Sequence, residues 1–157
     1  MRNHGFSLVE LLVGGAILLA TSGGLLLSMQ YSMMHSDSLR DIQVAMPAAQ
    51  GELEQLASVD FDELDTGPAY AAARGTGLPV PMAGLPGGML SVQIQPVVTA
   101  TNAELLEVRV AACWTTRGRR FGEDLNCNGV RDAGEDANAN TWLDSPVMAV
   151  TRIAQKD

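Results

Sequence analysis

The residues best suited to chemistry lie in an acidic segment late in the sequence. Between Glu123 and Asp144, six acidic side chains stand against one basic side chain, Arg131. The first half of this segment matches the pattern D-x-[DN]-x-[DN]-G-x5-E without a gap, with Gly129 at the sharp turn. The positions that bind a cation in such a loop carry Asp124, Asn126, Asn128, Val130 (through its backbone carbonyl), Asp132 and Glu135. Because Ca²⁺ prefers about six to eight hard oxygen ligands, this pattern predicts a structural calcium site.

A second copy of the pattern begins directly after the first. Its positions 1, 3, 5 and 9 carry Asp136, Asn138, Asn140 and Asp144. It lacks the glycine at position 6, where Thr141 stands, and the glutamate at position 12, where Val147 stands. We therefore expect a partial second calcium site, or one that shares ligands with the first. The alternative for both copies is a surface turn that binds no ion, because Asn and Asp side chains also hydrogen-bond their own backbone.

The acidic segment resembles the EF-hand-type loops of dockerins and thrombospondin type 3 repeats. Its flanking segments have the alternating pattern of β-strands and not that of the helix pair of an EF-hand. The resemblance therefore implies a structural clip instead of a switch that opens a groove. With two neutral asparagine ligands, we expect the modest calcium affinity of extracellular modules.

The two cysteines, Cys113 and Cys127, are fourteen residues apart, and Cys127 lies inside the acidic loop. Two cysteines in a small exported domain usually form a disulfide, which would stabilise this chain by about 3 kcal/mol in the loop-entropy model. Two separate thiols are the alternative. A zinc site is disfavoured, because there is no C-x-x-C pair and no histidine follows.

Other chemistry has little support in the sequence. We find no nucleophile–base pair, phosphate-binding glycine loop or catalytic metal cluster, so we predict that the protein is not an enzyme. Arg117, Arg119 and Arg120 form a small basic cluster just before the acidic loop. They are either solvated, balance the charge of the loop, or contact a neighbouring subunit or DNA. The net charge of −8 disfavours nucleic acid as a partner.

The N-terminal region is apolar enough to cross a membrane. Residues 6–29 contain a single charged side chain, Glu10, and would form a helix of about 36 Å, longer than the hydrocarbon core of about 30 Å. The flanking Arg2 predicts that the N-terminus stays in the cytoplasm. A carboxylate in an apolar span is costly, so Glu10 is a functional candidate that needs a cationic partner. A cleaved signal peptide and an ordinary single-span anchor are the alternatives, but neither explains Glu10.

The string Gly5-Phe6-Ser7-Leu8-Val9-Glu10-Leu11-Leu12-Val13 resembles the signal of type IV pilins and pseudopilins. The resemblance implies that a prepilin peptidase cuts after Gly5 and methylates the new amine of Phe6. It also implies that Glu10 pairs with the Phe6 amine of a neighbouring subunit in a filament. The implied partners are other pilins or pseudopilins, contacted through the N-terminal helix, the peptidase and an inner-membrane assembly platform.

The elements that position these residues follow from periodicity. Residues 1–5 are the expected leader, 6–30 the membrane half of a long helix, and 31–57 its amphipathic half, with a bend at Pro47. The expected apolar stripe of that half consists of Leu39, Ile42, Met46, Ala49, Leu53 and Leu56. An irregular loop is expected at 58–88, followed by an antiparallel sheet at 89–157. Its expected strands are 89–96, 105–114 and 147–153. A turn at 101–103 joins the first two strands, and the calcium-type loop at 123–144 lies before the third. This α+β layout resembles the type IV pilin fold.

The expected function is that of a minor pilin, most like the PilV kind, which helps to assemble, prime or cap a pilus used in adhesion, motility or DNA uptake. The likeness to that kind depends on Ser7-Leu8-Val9-Glu10-Leu11, on Gln50-Gly51-Glu52-Leu53-Glu54-Gln55-Leu56 and on the strand that ends in Trp114. Such a protein lies in the inner membrane before assembly and afterwards in a periplasmic or extracellular filament. The alternatives are a minor pseudopilin of a type II secretion system and a membrane-anchored periplasmic calcium-binding or adhesive domain that joins no filament.

Overall fold

The structure is a computed structural model that describes residues 7–97 and 105–155. The expected leader and the processing residues Gly5 and Phe6 lie outside the described residues, as does the expected turn at 101–103. The chain divides between Arg40 and Asp41 into two compact units, which are described separately.

The first unit contains the apolar half of a long helix, α1 (Leu8–Ala57). Every side chain from residue 7 to residue 36 is exposed, and Leu8 is 78% exposed. Within the described residues, α1 is the one helix that is long and apolar enough to cross a membrane. Because this much apolar surface is unfavourable in water, the helix is compatible with a membrane anchor.

The second unit begins with the amphipathic half of α1. Ala45, Ala49 and Leu56 are buried, as the 3.6-residue period requires for one helix face. The expected stripe was wrong at Met46, which is 37% exposed while its neighbour Ala45 is fully buried, and at Leu39, which is 58% exposed. Small alanines occupy the buried face. Pro47 lies inside α1 without ending it, although it removes one backbone hydrogen bond.

Within the described residues, the sheet has five antiparallel strands, one of which is long and central. The strands are β1 (Leu78–Pro81), β2 (Met89–Pro96), β3 (Leu105–Thr116), β4 (Arg119–Phe121) and β5 (Met148–Ala154). β3 pairs with β2 and, along consecutive stretches, with β5 and β4, whereas β1 pairs with β2. The three expected strands correspond to β2, β3 and β5. The segment 58–88, expected to be irregular, contains β1, a short helix α2 (Phe61–Asp65) and a 3-10 turn (Pro68–Tyr70).

The hydrophobic core lies on one face of the sheet. Alternate residues of β3 and β2 supply it because side chains alternate between the faces of a strand: Leu106, Val108, Val110, Ala112, Trp114, Leu90, Val92 and Ile94. Buried residues of α1 belong to the same cluster, and so does Leu64 of α2. Trp114 stacks on Phe121 of β4 with ring centroids 4.9 Å apart. A long apolar helix and a small antiparallel sheet thus form the expected α+β layout.

Candidate metal-binding loop

The acidic loop connects β4 to β5 and packs against the face of the sheet that carries no hydrophobic core. Cys113, Arg109 and Gln93 point to this face because they alternate with core residues. Each contacts the loop. Cys113 bonds Cys127, the guanidinium carbon of Arg109 lies 4.1 Å from the Trp142 ring centroid, and Gln93 Oε1 accepts the N–H of Leu143 at 2.9 Å. The loop therefore has its own attachment to the sheet at three places.

The disulfide ties the beginning of the loop to β3. Cys113 lies near the end of β3, and its Cα is 5.4 Å from that of Cys127. The pairing expected from the sequence is therefore present. Because Cys127 is the fourth residue of the calcium-type pattern, the bond restrains the segment that carries the expected ligands.

We call residues 124–135 the first turn and residues 136–147 the second turn. In the first turn, the carboxylate of Asp124 accepts hydrogen bonds from the backbone that follows it, and these bonds close the turn. Its Oδ1 accepts the N–H of Asn128 at 3.2 Å and its Oδ2 accepts that of Gly129 at 2.7 Å. Asp124 is only 3% exposed. A buried carboxylate that accepts several backbone N–H groups holds the loop closed.

Glu135 closes the first turn from its other end. Its Oε1 accepts the N–H of Leu125 and its Oε2 that of Asp132, both at 2.8 Å. Glu135 is also 3% exposed. Because Glu135 bonds both the second and the ninth residue of the turn, it fixes the turn as a closed ring.

The remaining expected ligands of the first turn lie between these two carboxylates. Asp132 Oδ2 accepts the side-chain N–H groups of Asn126 and Asn128, each at 2.9 Å. Asn128 Oδ1 in turn accepts the N–H of Val130 at 2.7 Å. The structure thus brings the six expected ligand residues into one hydrogen-bonded group. Within residues 7–97 and 105–155, however, no group of three or more His, Cys, Asp or Glu side chains is close enough to hold a metal ion.

The second turn repeats these contacts twelve residues later. Asp136 Oδ1 accepts the N–H of Asn140 at 2.9 Å, and its Oδ2 accepts that of Thr141 at 2.8 Å. Asp144 Oδ2 accepts the side-chain N–H groups of Asn138 and Asn140 at 2.7 and 2.9 Å. The second turn therefore has the same closed arrangement as the first, although Asp136 is only half-buried where Asp124 is buried.

The backbone repeats as well. Cys127 and Gly129 have φ values of 52° and 77°, and the equivalent Ala139 and Thr141 have values of 56° and 72°. A β-branched residue such as Thr141 rarely adopts this left-handed conformation, which costs about 1–3 kcal/mol. Gln95 Nε2 holds Thr141 in place by donating to its carbonyl oxygen at 3.2 Å and its hydroxyl at 3.1 Å.

The twelfth position of the second turn is where the two turns differ. Val147 occupies it, is fully buried and belongs to the hydrophobic core. Glu123, which precedes the first turn, takes over part of the missing role. Its Oε2 accepts the N–H of Asp144 at 3.1 Å, as Glu135 Oε2 does for Asp132, and its own N–H donates to the Asp144 carbonyl at 2.9 Å. Sequence reasoning missed Glu123 as a part of this site, although it lies one repeat before Glu135.

Within the described residues, the pair formed by Arg131 and Asp136 offsets part of the negative charge of the loop. Arg131 Nη1 lies 3.7 Å from Asp136 Oδ2. In the part of the chain that the structure describes, neither Asp124 nor Glu135 is in an ion pair, so backbone N–H groups alone balance these two buried carboxylates. Carboxylates gathered in this way repel one another and favour a bound cation.

A network of charged side chains on the sheet contacts the acidic loop. Glu107 Oε1 accepts from Arg109 Nη2 at 2.6 Å, and Glu107 Oε2 accepts from Arg152 Nε at 3.0 Å. The hydrogen bond from Arg109 is the largest of the effects that lower the pKa of the Glu107 carboxyl below its ordinary value, and burial opposes them. The same Arg109 packs on Trp142, so the network positions a residue of the second turn.

Glu10, the expected assembly residue, lies in the first turn of α1 and is exposed. Its backbone N–H donates to Ser7, to the carbonyl oxygen at 3.0 Å and to the hydroxyl oxygen at 3.3 Å, so Ser7 caps the helix. The expected partner of Glu10, the amine of Phe6, lies outside the described residues.

Comparisons with models of known families, with curated proteins and with solved structures find no match for this chain. Its function is therefore inferred from its own residues and their geometry.

Proposed function

We propose that this protein is a minor pilin, a subunit of a type IV pilus filament that is anchored by its N-terminal helix before assembly. One observation carries the proposal. Residues 8–36 form a continuous stretch of α1 in which every side chain is exposed and, apart from His35, Glu10 is the only acidic or basic one. So many exposed apolar side chains need lipid or neighbouring helices around them. In this proposal the membrane supplies lipid before assembly, and the filament supplies neighbouring helices afterwards.

Glu10 is the residue through which this helix is proposed to recognise another copy. A carboxylate in the first helical turn is favoured by the helix dipole, but in an apolar surrounding it also needs a cation. In the pilin reading, the cation is the methylated amine of Phe6 on a neighbouring subunit, exposed when the peptidase cuts after Gly5. Pairing two charges that are each costly alone would set the register between neighbouring helices.

The layout of the second unit supports the same proposal. The amphipathic half of α1 contributes Ala45, Ala49 and Leu56 to the core formed with β2 and β3. An antiparallel sheet with a long N-terminal helix resembles the pilin fold. The sheet carries the acidic loop on its other face, so α1 and the loop do not compete for the same surface.

We further propose that the first turn binds Ca²⁺ as a structural clip. The donors suit this ion, because three carboxylates, two amide groups and a backbone carbonyl offer hard oxygens. Two of these carboxylates, Asp124 and Glu135, are already buried and held by backbone N–H groups. The side chains of Asn126 and Asn128, whose amide N–H groups donate to Asp132, would hold the ion together with these carboxylates. When bound, the ion would compensate the negative charge of the loop and order it.

The second turn is proposed as a weaker calcium site. It offers Asp136, Asn138, Asn140 and Asp144, and Glu123 contributes the carboxylate that Val147 cannot. Because Asp136 is less buried than the equivalent Asp124 and Glu123 makes one backbone contact where Glu135 makes two, we expect lower affinity than in the first turn.

The decisive experiment is mass spectrometry of filaments sheared from the surface of the host cell. We expect the chain to be present and to start at a methylated Phe6. Glu10→Gln should leave the chain processed and membrane-bound but remove it from the filaments, because an amide cannot pair with the amine. Thr21→Val is the matched control, since the Thr21 hydroxyl donates to carbonyl oxygens of its own helix.

Three outcomes would contradict the minor-pilin proposal. A chain that still starts at Met1 would show that no peptidase cuts it. A chain found only in membranes beside intact filaments would favour the anchored calcium-binding or adhesive domain. Intact pili together with a loss of secreted enzymes after deletion of the gene would favour a type II secretion pseudopilin.

A further inference from the structure

The sheet of the second unit ends in two strands of different character. On one side lies β1, in which Pro79 and Pro81 have no N–H to donate. Prolines in an edge strand hinder pairing with another chain. On the other side lies β5, which contains no proline and, within the described residues, pairs with β3 alone. β1 is therefore a protected edge, and β5 is an open one.

The hydrogen bonds of β5 show which of its backbone groups face the open side. The N–H of Ala112 donates to the carbonyl oxygen of Val147 at 3.0 Å, just before β5 begins. Bonded pairs recur at every second residue of an antiparallel ladder, so Ala149 and the alternate residues after it bond to β3. The N–H and C=O groups of Val150 and Arg152 therefore point away from β3, where an additional strand can bond to them.

The one charged side chain of β5 does not shield this edge. A charge on an edge strand usually deters pairing with another chain. The guanidinium group of Arg152, however, is held by Glu107 of β3, whose Oε2 lies 3.0 Å from both Nε and Nη2. Glu107 thus neutralises Arg152 and keeps it over one face of the sheet, so the backbone edge stays accessible.

The C-terminal end of β5 borders a cleft. Residues 57–63, at the end of α1 and the beginning of α2, line a cavity of about 510 Å³ together with the last residues of β5. Its apolar part consists of Val59, Phe61 and Ile153, which pack against the hydrophobic core. The open edge of β5 therefore leads directly into a cavity large enough for a long side chain.

The rest of this cleft is negatively charged. Asp60, Asp62 and Glu63 line it, and none of the described residues that line it is basic. The last turn of α1 also lacks a basic residue, so the partial negative charge at the end of this helix adds to that of the carboxylates. We call the cavity lined by residues 57–63 and the end of β5 the acidic cleft.

We infer that β5 binds an extended segment of a partner protein, which adds an antiparallel strand to the sheet and places a Lys or Arg side chain in the acidic cleft. Main-chain hydrogen bonds to Val150 and Arg152 supply affinity, as is general for recognition by strand addition. The aliphatic stem of a Lys or Arg side chain suits the apolar part of the cleft, and its charged end suits the carboxylates.

The antiparallel arrangement also fixes where the basic residue lies in the partner segment. The N-terminal end of an antiparallel strand lies beside Ala154, at the C-terminal end of β5. The Lys or Arg therefore belongs to the N-terminal part of the segment. All of these features lie in the second unit, so the inference depends neither on filament assembly nor on calcium.

The test measures the binding of labelled synthetic peptides to the full chain in detergent micelles by fluorescence anisotropy. The probe begins with lysine and continues with alternating valine and threonine, and we expect a Kd of about 100 µM or tighter. The same peptide with N-methyl groups on alternate amides cannot donate to the edge, and a peptide that begins with glutamate has the wrong charge. Both should bind at least about tenfold more weakly. Hydrogen–deuterium exchange should become slower at residues 148–154 with the lysine peptide and should not change at β1.

Two pairs of variants test the contacts from the side of the protein. Val150→Pro removes an N–H that faces the open side and should weaken binding at least about tenfold, whereas the matched Val150→Ala keeps that N–H and should change the affinity less than about threefold. Asp62→Asn should remove most of the preference for the lysine peptide over the glutamate peptide. Glu54→Gln is its control, because Glu54 is exposed on α1 outside the acidic cleft and should leave the preference unchanged.

Thermal unfolding shows whether Val150→Pro remains folded, and the N-methylated peptide tests the same hydrogen bonds without altering the protein. Equally tight binding of the N-methylated peptide would overturn strand addition, and so would slower exchange at β1 in place of β5. Equal affinities for the lysine and glutamate peptides would overturn the choice of a basic partner. A lysine peptide that does not bind at about 1 mM would overturn the inference as a whole.

Discussion

The two turns of the acidic loop share one local plan but differ in what surrounds them. Asp124 and Asp136 close equivalent backbones, and Asp132 and Asp144 accept equivalent pairs of asparagine amides. The first turn is completed by its own Glu135. The second ends in Val147, which belongs to the core, and receives a carboxylate from Glu123 instead. The comparison shows that a short pattern sets the backbone of a turn, while its surroundings decide which ligands complete it.

The largest expected effect comes from the disulfide, which the first turn has and the second lacks, since Ala139 stands where Cys127 stands in the repeat. Replacing Cys113 and Cys127 by alanine should lower the free energy of unfolding of the second unit by about 3 kcal/mol, because the unfolded loop regains its freedom. Urea unfolding in detergent, followed by the fluorescence of Trp114 and Trp142, measures this. Ala139→Ser is the control and should change the free energy of unfolding little. A double Ala variant as stable as the parent would show that the disulfide does not stabilise the second unit.

The second-largest expected effect is that of calcium, which should stabilise the first turn more than the second. At free calcium about 100-fold above Kd, stability should rise by about 2.7 kcal/mol, seen as a higher melting temperature than in chelator. Asp124→Ala with Glu135→Ala should remove most of this rise, and Asp136→Ala with Asp144→Ala a smaller part of it. Melting curves of the unaltered protein that coincide in calcium and in chelator would end the calcium proposal.

A smaller effect is expected from Glu123→Gln, which tests whether Glu123 belongs to the second turn. We expect the weaker of two calcium-binding steps to lose affinity about 10-fold, since the carboxylate next to Asp144 is lost, while the stronger step stays unchanged. Glu135→Gln should do the reverse. Isothermal titration calorimetry distinguishes the two steps. Equal weakening of both steps by Glu123→Gln would mean that Glu123 does not belong to the second turn.

The smallest effect concerns the network that supports Trp142. Because the pKa of Glu107 is lowered in the folded protein, its contribution to stability is present above the ordinary glutamate pKa of 4.5 and is lost as the pH falls through the folded pKa. As the pH falls from about 5 to 3, the unaltered protein should lose more stability than Glu107→Gln does. Chemical denaturation across this range tests it, and parallel pH profiles would argue against a role of the Glu107 charge.

Much of the layout was predictable because it depends on periodicity. The alternation in β3 placed Val108, Val110 and Trp114 on one face, and all three are buried there. β1 and β4 were missed for different reasons. β1 contains Pro79 and Pro81, which are confined to edge strands and read as irregular structure, and β4 has only three residues. The choice between Ala45 and Met46 required the sheet, because only packing selects a small residue over a large one.

For the candidate loop, the sequence alone determined the turns, since Asx side chains and left-handed positions act over a few residues. It also identified the cysteine pair and the apolar span, which are local or compositional features. Only the tertiary structure decided that Val147 enters the core, that Glu123 reaches Asp144, and that the open edge of β5 borders the acidic cleft. These contacts join residues distant along the chain, and folding of the whole second unit is what makes them possible.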